Sequence, residues 1–169
     1  MKNYAMWISY DGTRYAGWQR QNNHLTVQGI VEKELSFLLK RPITIHASGR
    51  TDAGVHALEQ CASFKAAPPM PIERLKQALS NALPDDIALL GLINVPDEFH
   101  ARYSAIGKMY EYRLYCSKSA NPFLNRYATQ CKYALDEKSI REAMTHFLGE
   151  HDFIGFMASG SHVKDTVRI

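Results

Sequence analysis

The sequence predicts an α+β protein in which helices cover one face of an antiparallel sheet. Three observations lead there. Two stretches, from Val27 and from Ile72, repeat apolar residues at helical spacing. Short β-rich runs flank both. The resulting order of strand, helix, strand, strand, helix, strand is that of a ferredoxin-like split βαβ unit. A third helical pattern around Ile140 then begins a second similar unit. We expect domains at 1–117 and 118–169.

The elements follow in chain order. Asn3 to Tyr10 is rich in Tyr, Trp and Ile and reads as a strand, ended by the turn Asp11-Gly12. Thr13 to Leu25 is a loop that interleaves Arg14, Tyr15, Trp18, Gln19, Arg20 and Gln21. Such a mixture can hold phosphates and stack on bases, or it can tuck its aromatics into the core. Thr26 caps a helix running to about Lys40, with Val27, Ile30, Val31, Leu35, Leu38 and Leu39 on one face and Pro42 after its end.

Ile43 to Ala47 and Gln60 to Phe64 are the next strands. Pro71 suits the first position of a second helix, whose buried stripe is Ile72, Leu75, Ala78, Leu79 and Ala82. Ile87 to Val95 is a strand. Met109 to Cys116 alternates, with Tyr110, Tyr112, Leu114 and Cys116 on one side, and predicts another. Its tyrosines fit either a packed sheet or a substrate platform. Asp136 caps a third helix, with Ile140, Ala143, Met144, Phe147 and Leu148 inward and Gly149 at its end. Gly149 to Phe153 and Phe156 to Ser161 read as loop, with Ser159 to Ser161 mobile, and a strand is expected to start at Val167.

Composition narrows the function classes. The 169 residues are 46% hydrophobic and 22% charged, enough for a core. A net charge of +3 permits an RNA or phosphate partner without requiring one. The three cysteines, Cys61, Cys116 and Cys131, suit neither a disulfide framework nor a zinc motif, and reduced thiols in the cytoplasm are expected. The seven histidines lack metal-ligand spacing, so no metal is expected. No stretch is long and apolar enough to span a membrane or to serve as a signal peptide.

The chemistry concentrates in Ser48-Gly49-Arg50-Thr51-Asp52-Ala53-Gly54-Val55-His56-Ala57. Glycines let a loop between strands bring its backbone close to a ligand. Arg50 beside Asp52 is expected to favour the ionised carboxylate. A carboxylate so held suits nucleophilic or electrostatic work at a sugar carbon. Arg-x-Asp in a turn also serves as a plain structural ion pair.

That stretch resembles the signature of the tRNA pseudouridine synthase A family. Further blocks resemble the family in the same order, across nearly the whole chain. They are Tyr10 to Gln21, Thr26-Val27-Gln28-Gly29, Asn81 to Ile87, Phe99 to Ala105, Lys108-Met109-Tyr110-Glu111-Tyr112 and Leu148 to Phe153. The resemblance implies isomerisation of uridine to pseudouridine in the anticodon stem-loop of tRNA. It implies Asp52 as nucleophile, Arg50 as its supporting cation, and Tyr110 and Arg102 as substrate-binding residues. Because the reaction changes no oxidation state, no cofactor is implied. Attack on the anomeric carbon and attack on the pyrimidine ring both fit. The family works as a homodimer with a longer second unit, so the chain is expected to be a fragment or a shortened copy. The alternatives are a non-catalytic RNA-binding module, an inactive fragment, and a plain interaction domain.

Overall fold

The computed structural model describes residues 1–157 and 165–168. The expected mobility of Ser159 to Ser161 concerns residues outside the described ones. The chain divides into two compact units, Met1–Met109 and Tyr110–Ile169, ahead of the boundary at 117 expected above.

In the first unit the elements are β1 (Lys2–Tyr10), α1 (Val27–Leu39), β2 (His46–Ala47), β3 (Ala57–Ala66), α2 (Ile72–Ala82) and β4 (Ile87–Val95). The sheet order is β2-β3-β1-β4 with every neighbour antiparallel, the arrangement of a ferredoxin-like unit. β1 is central. Its Tyr4, Met6 and Ile8 point to the face where Phe64 and Ala62 of β3 and Leu92 of β4 lie, and all are buried. Tyr4 stacks on Phe64 at 5.2 Å between ring centres. Val27, Val31, Leu35 and Leu39 of α1 and Leu75 and Leu79 of α2 close this core, so both helices cover one face.

Asn3 and Ser63, on the other face, are also buried. The Asn3 amide donates to the carbonyls of Pro96 and Phe99, each at 2.8 Å, and Ser63 Oγ accepts from Ala101 N–H at 3.1 Å. The segment after β4 therefore crosses one end of that second face. Irregular register at Trp7/Ile8 and at Ile8/Tyr10 marks the opposite end of β1, beside the loop that carries Asp52.

Thr26 caps α1, its hydroxyl accepting from Gly29 N–H at 3.3 Å, and Lys40 closes it in the left-handed conformation. Pro71 stands one place earlier than expected, as the N-cap of α2. The strand expected at Ile43 to Ala47 shortens to His46–Ala47 for a physical reason. Ile43 N–H donates to Ser36 Oγ at 2.9 Å and Ile45 N–H to Glu32 Oε1 at 3.0 Å. Side chains of α1 satisfy these backbone donors in place of a ladder.

The loop between β1 and α1 resolves the open question about its aromatics. Trp18 is 1% and Tyr15 3% exposed, so both belong to the core. The Tyr15 hydroxyl donates to Asp86 Oδ1 at 2.7 Å, and Arg14 pairs with the same carboxylate at 2.7 Å.

The second unit departs further from expectation. Only Leu114–Cys116 of the predicted strand Met109 to Cys116 forms a strand, β5, paired in parallel with β6 (Thr129–Cys131). A strand persists only where a ladder takes up its polar groups, and among the described residues only this stretch has one. α3 (Glu137–Thr145) is capped by Asp136 as expected, yet Ile140, Met144, Phe147 and Leu148 are exposed rather than inward. Part of the predicted loop forms β7 (His151–Asp152), antiparallel to β8 (Val167–Arg168), followed by a 3-10 turn at Ile154–Phe156.

Burial, then the Asp86 carboxylate, push the Tyr15 phenol from 10.0 up to about 12. The folded chain thus keeps a proton that the unfolded chain loses as pH rises through this window, so stability should fall from about pH 10 to about pH 12. Burial raises the Tyr4 and Tyr10 phenols in the same direction. We expect Tyr15→Phe to flatten part of that fall, read as a smaller drop in urea midpoint between about pH 8 and about pH 11.

Candidate active site

The loop joining β2 to β3 runs from Ser48 to His56, and ties from several directions shape it. Ser48 N–H donates to Cys61 O at 2.8 Å, and the Gln60 amide donates to Gly49 O. Thr51 is gripped twice: its hydroxyl meets Tyr10 Oη at 2.8 Å, and its carbonyl accepts from Trp18 N–H at 3.0 Å. Gly54 N–H donates to Tyr15 O at 3.1 Å, and Val55 N–H closes back on Asp52 O at 3.2 Å. Gly54 has φ of +78°, which L side chains rarely adopt. At the loop's end His56 Nδ1 accepts from Gly12 N–H at 3.1 Å and lies 3.1 Å from Asp11 Oδ1.

Two glycines of the preceding loop allow this contact. A Cβ on Gly12 would lie 2.0 Å from Val55 O, and one on Gly17 would lie 2.4 Å from Thr51 O, where φ is already +89°. The β1–α1 loop and the Asp52 loop therefore meet backbone to backbone. Between them opens a cleft of about 320 Å³, lined on one side by Arg50, Thr51, Asp52 and Ala53 and on the other by Ala16, Gln19, Gln21 and His24.

The far wall of the cleft is anchored to α1 by buried polar groups. Glu32, 4% exposed, accepts from Ile45 N–H at 3.0 Å and Gln28 Nε2 at 2.9 Å on one oxygen, and from Arg20 at 2.8 Å on the other. Gln28 Nε2 also reaches Ile45 O at 3.2 Å, and its Oε1 accepts from Arg20 N–H at 2.9 Å and Gln19 Nε2 at 2.8 Å. A buried charge persists only when so satisfied.

The structure brings Arg50 and Asp52 to one cleft, both exposed. It does not pair them: no ion pair or hydrogen bond joins the two among the described residues. The expected local Arg-Asp clamp is thus absent. The loop is held instead by its backbone and by Thr51, which leaves both charged side chains turned to solvent. Arg102 lies in the turn after β4, exposed, its guanidinium 5.8 Å from the Tyr103 ring, and it does not line the cleft. Tyr110 opens the second unit and is 71% exposed. Sequence reasoning missed Glu32, His24 and the placement of Lys108. A Cβ on Gly49 would lie 3.0 Å from Lys108 Nζ, which sets a further cation beside the loop. The available signal for the anchor was the i, i+4 spacing of Gln28 and Glu32 next to the apolar stripe of α1. Among the described residues no group of His, Cys, Asp or Glu could hold a metal ion, and no helix is long and apolar enough to cross a membrane.

A family profile described as tRNA pseudouridine synthase matches residues 6–104, from β1 through the turn after β4. The chain belongs to the tRNA pseudouridine synthase family. Among its relatives is a protein named tRNA pseudouridine synthase A from Caldicellulosiruptor bescii, 41% identical over 99% of this chain and 69% of that protein. Proteins of the same name from Ruminiclostridium cellulolyticum and Syntrophotalea carbinolica are 42% and 43% identical, over 99% and 95% of this chain and 69% and 64% of their own lengths. The family is one of isomerases. Every residue lining the cleft lies inside the matched span, whereas Tyr110 lies just beyond it.

If the glycine contact shapes this synthase-family cleft, Gly12→Ala and Gly17→Ala should each cost about 2–3 kcal/mol, because backbone atoms must move. Gly107, with open space around it, should tolerate alanine within about 0.5 kcal/mol. Urea midpoints of the three variants check this.

Proposed function

We propose that this chain isomerises uridine to pseudouridine in the anticodon stem-loop of tRNA. In this reading Asp52 is the nucleophile, Arg50 its supporting cation, and Tyr110 and Arg102 bind substrate. The observation that carries it is the exposed Asp52 carboxylate standing with Arg50 on the wall of a cleft whose backbone is locked on both sides. Family membership and the relatives' names supply the reaction class.

The reaction breaks the N1–C1′ bond, turns the uracil and forms a C5–C1′ bond. C5 gives up its proton and N1 gains one, so composition and oxidation state are unchanged. The Asp52 carboxylate can attack C1′, holding the sugar as an ester while the base turns, or add to C6 of the ring and hold the base. The uridine must leave its stack to reach the cleft. Arg50 is suited to pair with phosphate or to fill the gap left in the RNA, and Tyr110 offers a ring for stacking, worth about 1–3 kcal/mol per base. Arg102 adds a phosphate contact, and Lys108 beside Gly49 adds another. The homodimer of the family belongs to the same proposal.

Asp52→Asn keeps size and polarity but removes the nucleophile. It should lower pseudouridine formation by roughly a thousandfold or more while tRNA binding stays within about twofold. Product is read by mass spectrometry of digested tRNA after cyanoethylation, and binding by filter retention at fixed salt. Unchanged product would remove Asp52 from the mechanism. Binding with no product from the unaltered chain would leave an RNA-binding module.

A further inference from the structure

We propose that Gln19 is a specificity residue, presenting its carbonyl oxygen as a fixed acceptor for the N3–H of the uracil. The proposal rests on the isomerase reading above and names what recognises the base.

Donor and acceptor chemistry dictates the orientation of Gln19. Glu32 Oε1 and the carbonyl of Ile45 both face the same end of the Gln28 amide, at 2.9 and 3.2 Å. Both are acceptors, so that end is the NH₂. The other end, Oε1, faces Arg20 N–H at 2.9 Å, which can only donate. Gln19 meets this same oxygen at 2.8 Å and must therefore offer its own NH₂. The Gln19 carbonyl oxygen is left over. It has no partner among the described residues, and Gln19 is one of the residues that line the cleft with Asp52. Backbone groups at Ile45 and Arg20, at the two ends of this hydrogen-bonded chain, thus decide which end of the Gln19 amide is left without a partner.

An acceptor is what uracil asks for at N3. Uracil carries a hydrogen there, whereas neutral cytosine has a lone pair at N3 and would be repelled. The geometry of the reaction adds a second reason. Exchanging N1 for C5 at the sugar means turning the ring about the line through C6 and N3. That turn swaps O2 with O4 but leaves N3–H where it was. A hydrogen bond to N3–H is then the one base-edge contact that survives from substrate to product. Gln19 acts as a pivot that holds the detached base while it turns, and Gln28 and Glu32 are positioning residues behind it.

The test uses the full chain and two RNAs: a stem-loop with one uridine in its loop, and the same RNA with 3-methyluridine in that place. The unaltered chain should bind the first about tenfold more tightly, and Gln19→Met, which keeps length but not the acceptor, should reduce the preference to within about twofold. Gln19→Met should also lower kcat about tenfold on unmodified tRNA with KM nearly constant. A preference that survives in Gln19→Met, or an unaltered chain that binds both RNAs alike, overturns the proposal. Discrimination without any pseudouridine would instead sink the isomerase reading and leave the recognition standing. Pseudouridine formed without discrimination would do the reverse, and failure to bind either RNA overturns both.

Discussion

The close meeting of two backbones governs this molecule. Loop 11–18 lies so tightly on loop 51–55 that the carbonyls of Val55 and Thr51 occupy the space a side chain at Gly12 or Gly17 would need. From that approach follow the Trp18–Thr51 and Gly54–Tyr15 hydrogen bonds, the Tyr10–Thr51 contact and the cleft itself. Because the contact is made of main chain, it leaves Arg50 and Asp52 with no structural duty. Their charged side chains stay exposed at the cleft.

The second device is the buried carboxylate of Glu32. A charge taken out of water is costly, and losing one partner of such a group typically costs about 3–5 kcal/mol. Here three donors, from Arg20, Gln28 and Ile45, meet it. The arrangement shortens β2, because Ile45 spends its N–H on Glu32 and not on β3. It also fixes the polarity of the Gln28 and Gln19 amides. One residue of α1 thereby connects helix, sheet edge and cleft wall.

The two compact units differ in how fully their sequence patterns are satisfied. In the first, the apolar stripes of α1 and α2 meet the sheet, and the core is closed. In the second, the amphipathic pattern of α3 is as clear, yet no residue of that helix is buried among the described ones. Its neighbouring rings, Phe147, Phe153 and Phe156, cluster at 5.8 to 6.2 Å from one another, with Phe147 and Phe156 still exposed and Phe153 half-buried. Pattern alone produces a helix or strand tendency, whereas burial requires a surface to meet.

Local physics made much of this protein readable from its residues. Thr26 and Asp136 announced their helices because an N-cap needs only its own side chain and the next turn. β4 appeared with its observed ends, Ile87 and Val95, and the order of the first six elements dictated the sheet class. The chemistry-bearing loop was visible in its glycines, Arg50 and Asp52. Tertiary structure alone decided that Tyr15 and Trp18 are core, that Arg50 leaves Asp52 unpaired, that the tyrosine-rich strand keeps only Leu114–Cys116, and that Gln19 lines the cleft. Three of those depend on partners distant in sequence: Asp86 for Tyr15 and Thr51 for Trp18, Thr129–Cys131 for the strand, and Ile45 for the amide relay. A local pattern records what a residue can do, and only the folded chain supplies the group that decides which of those things it does.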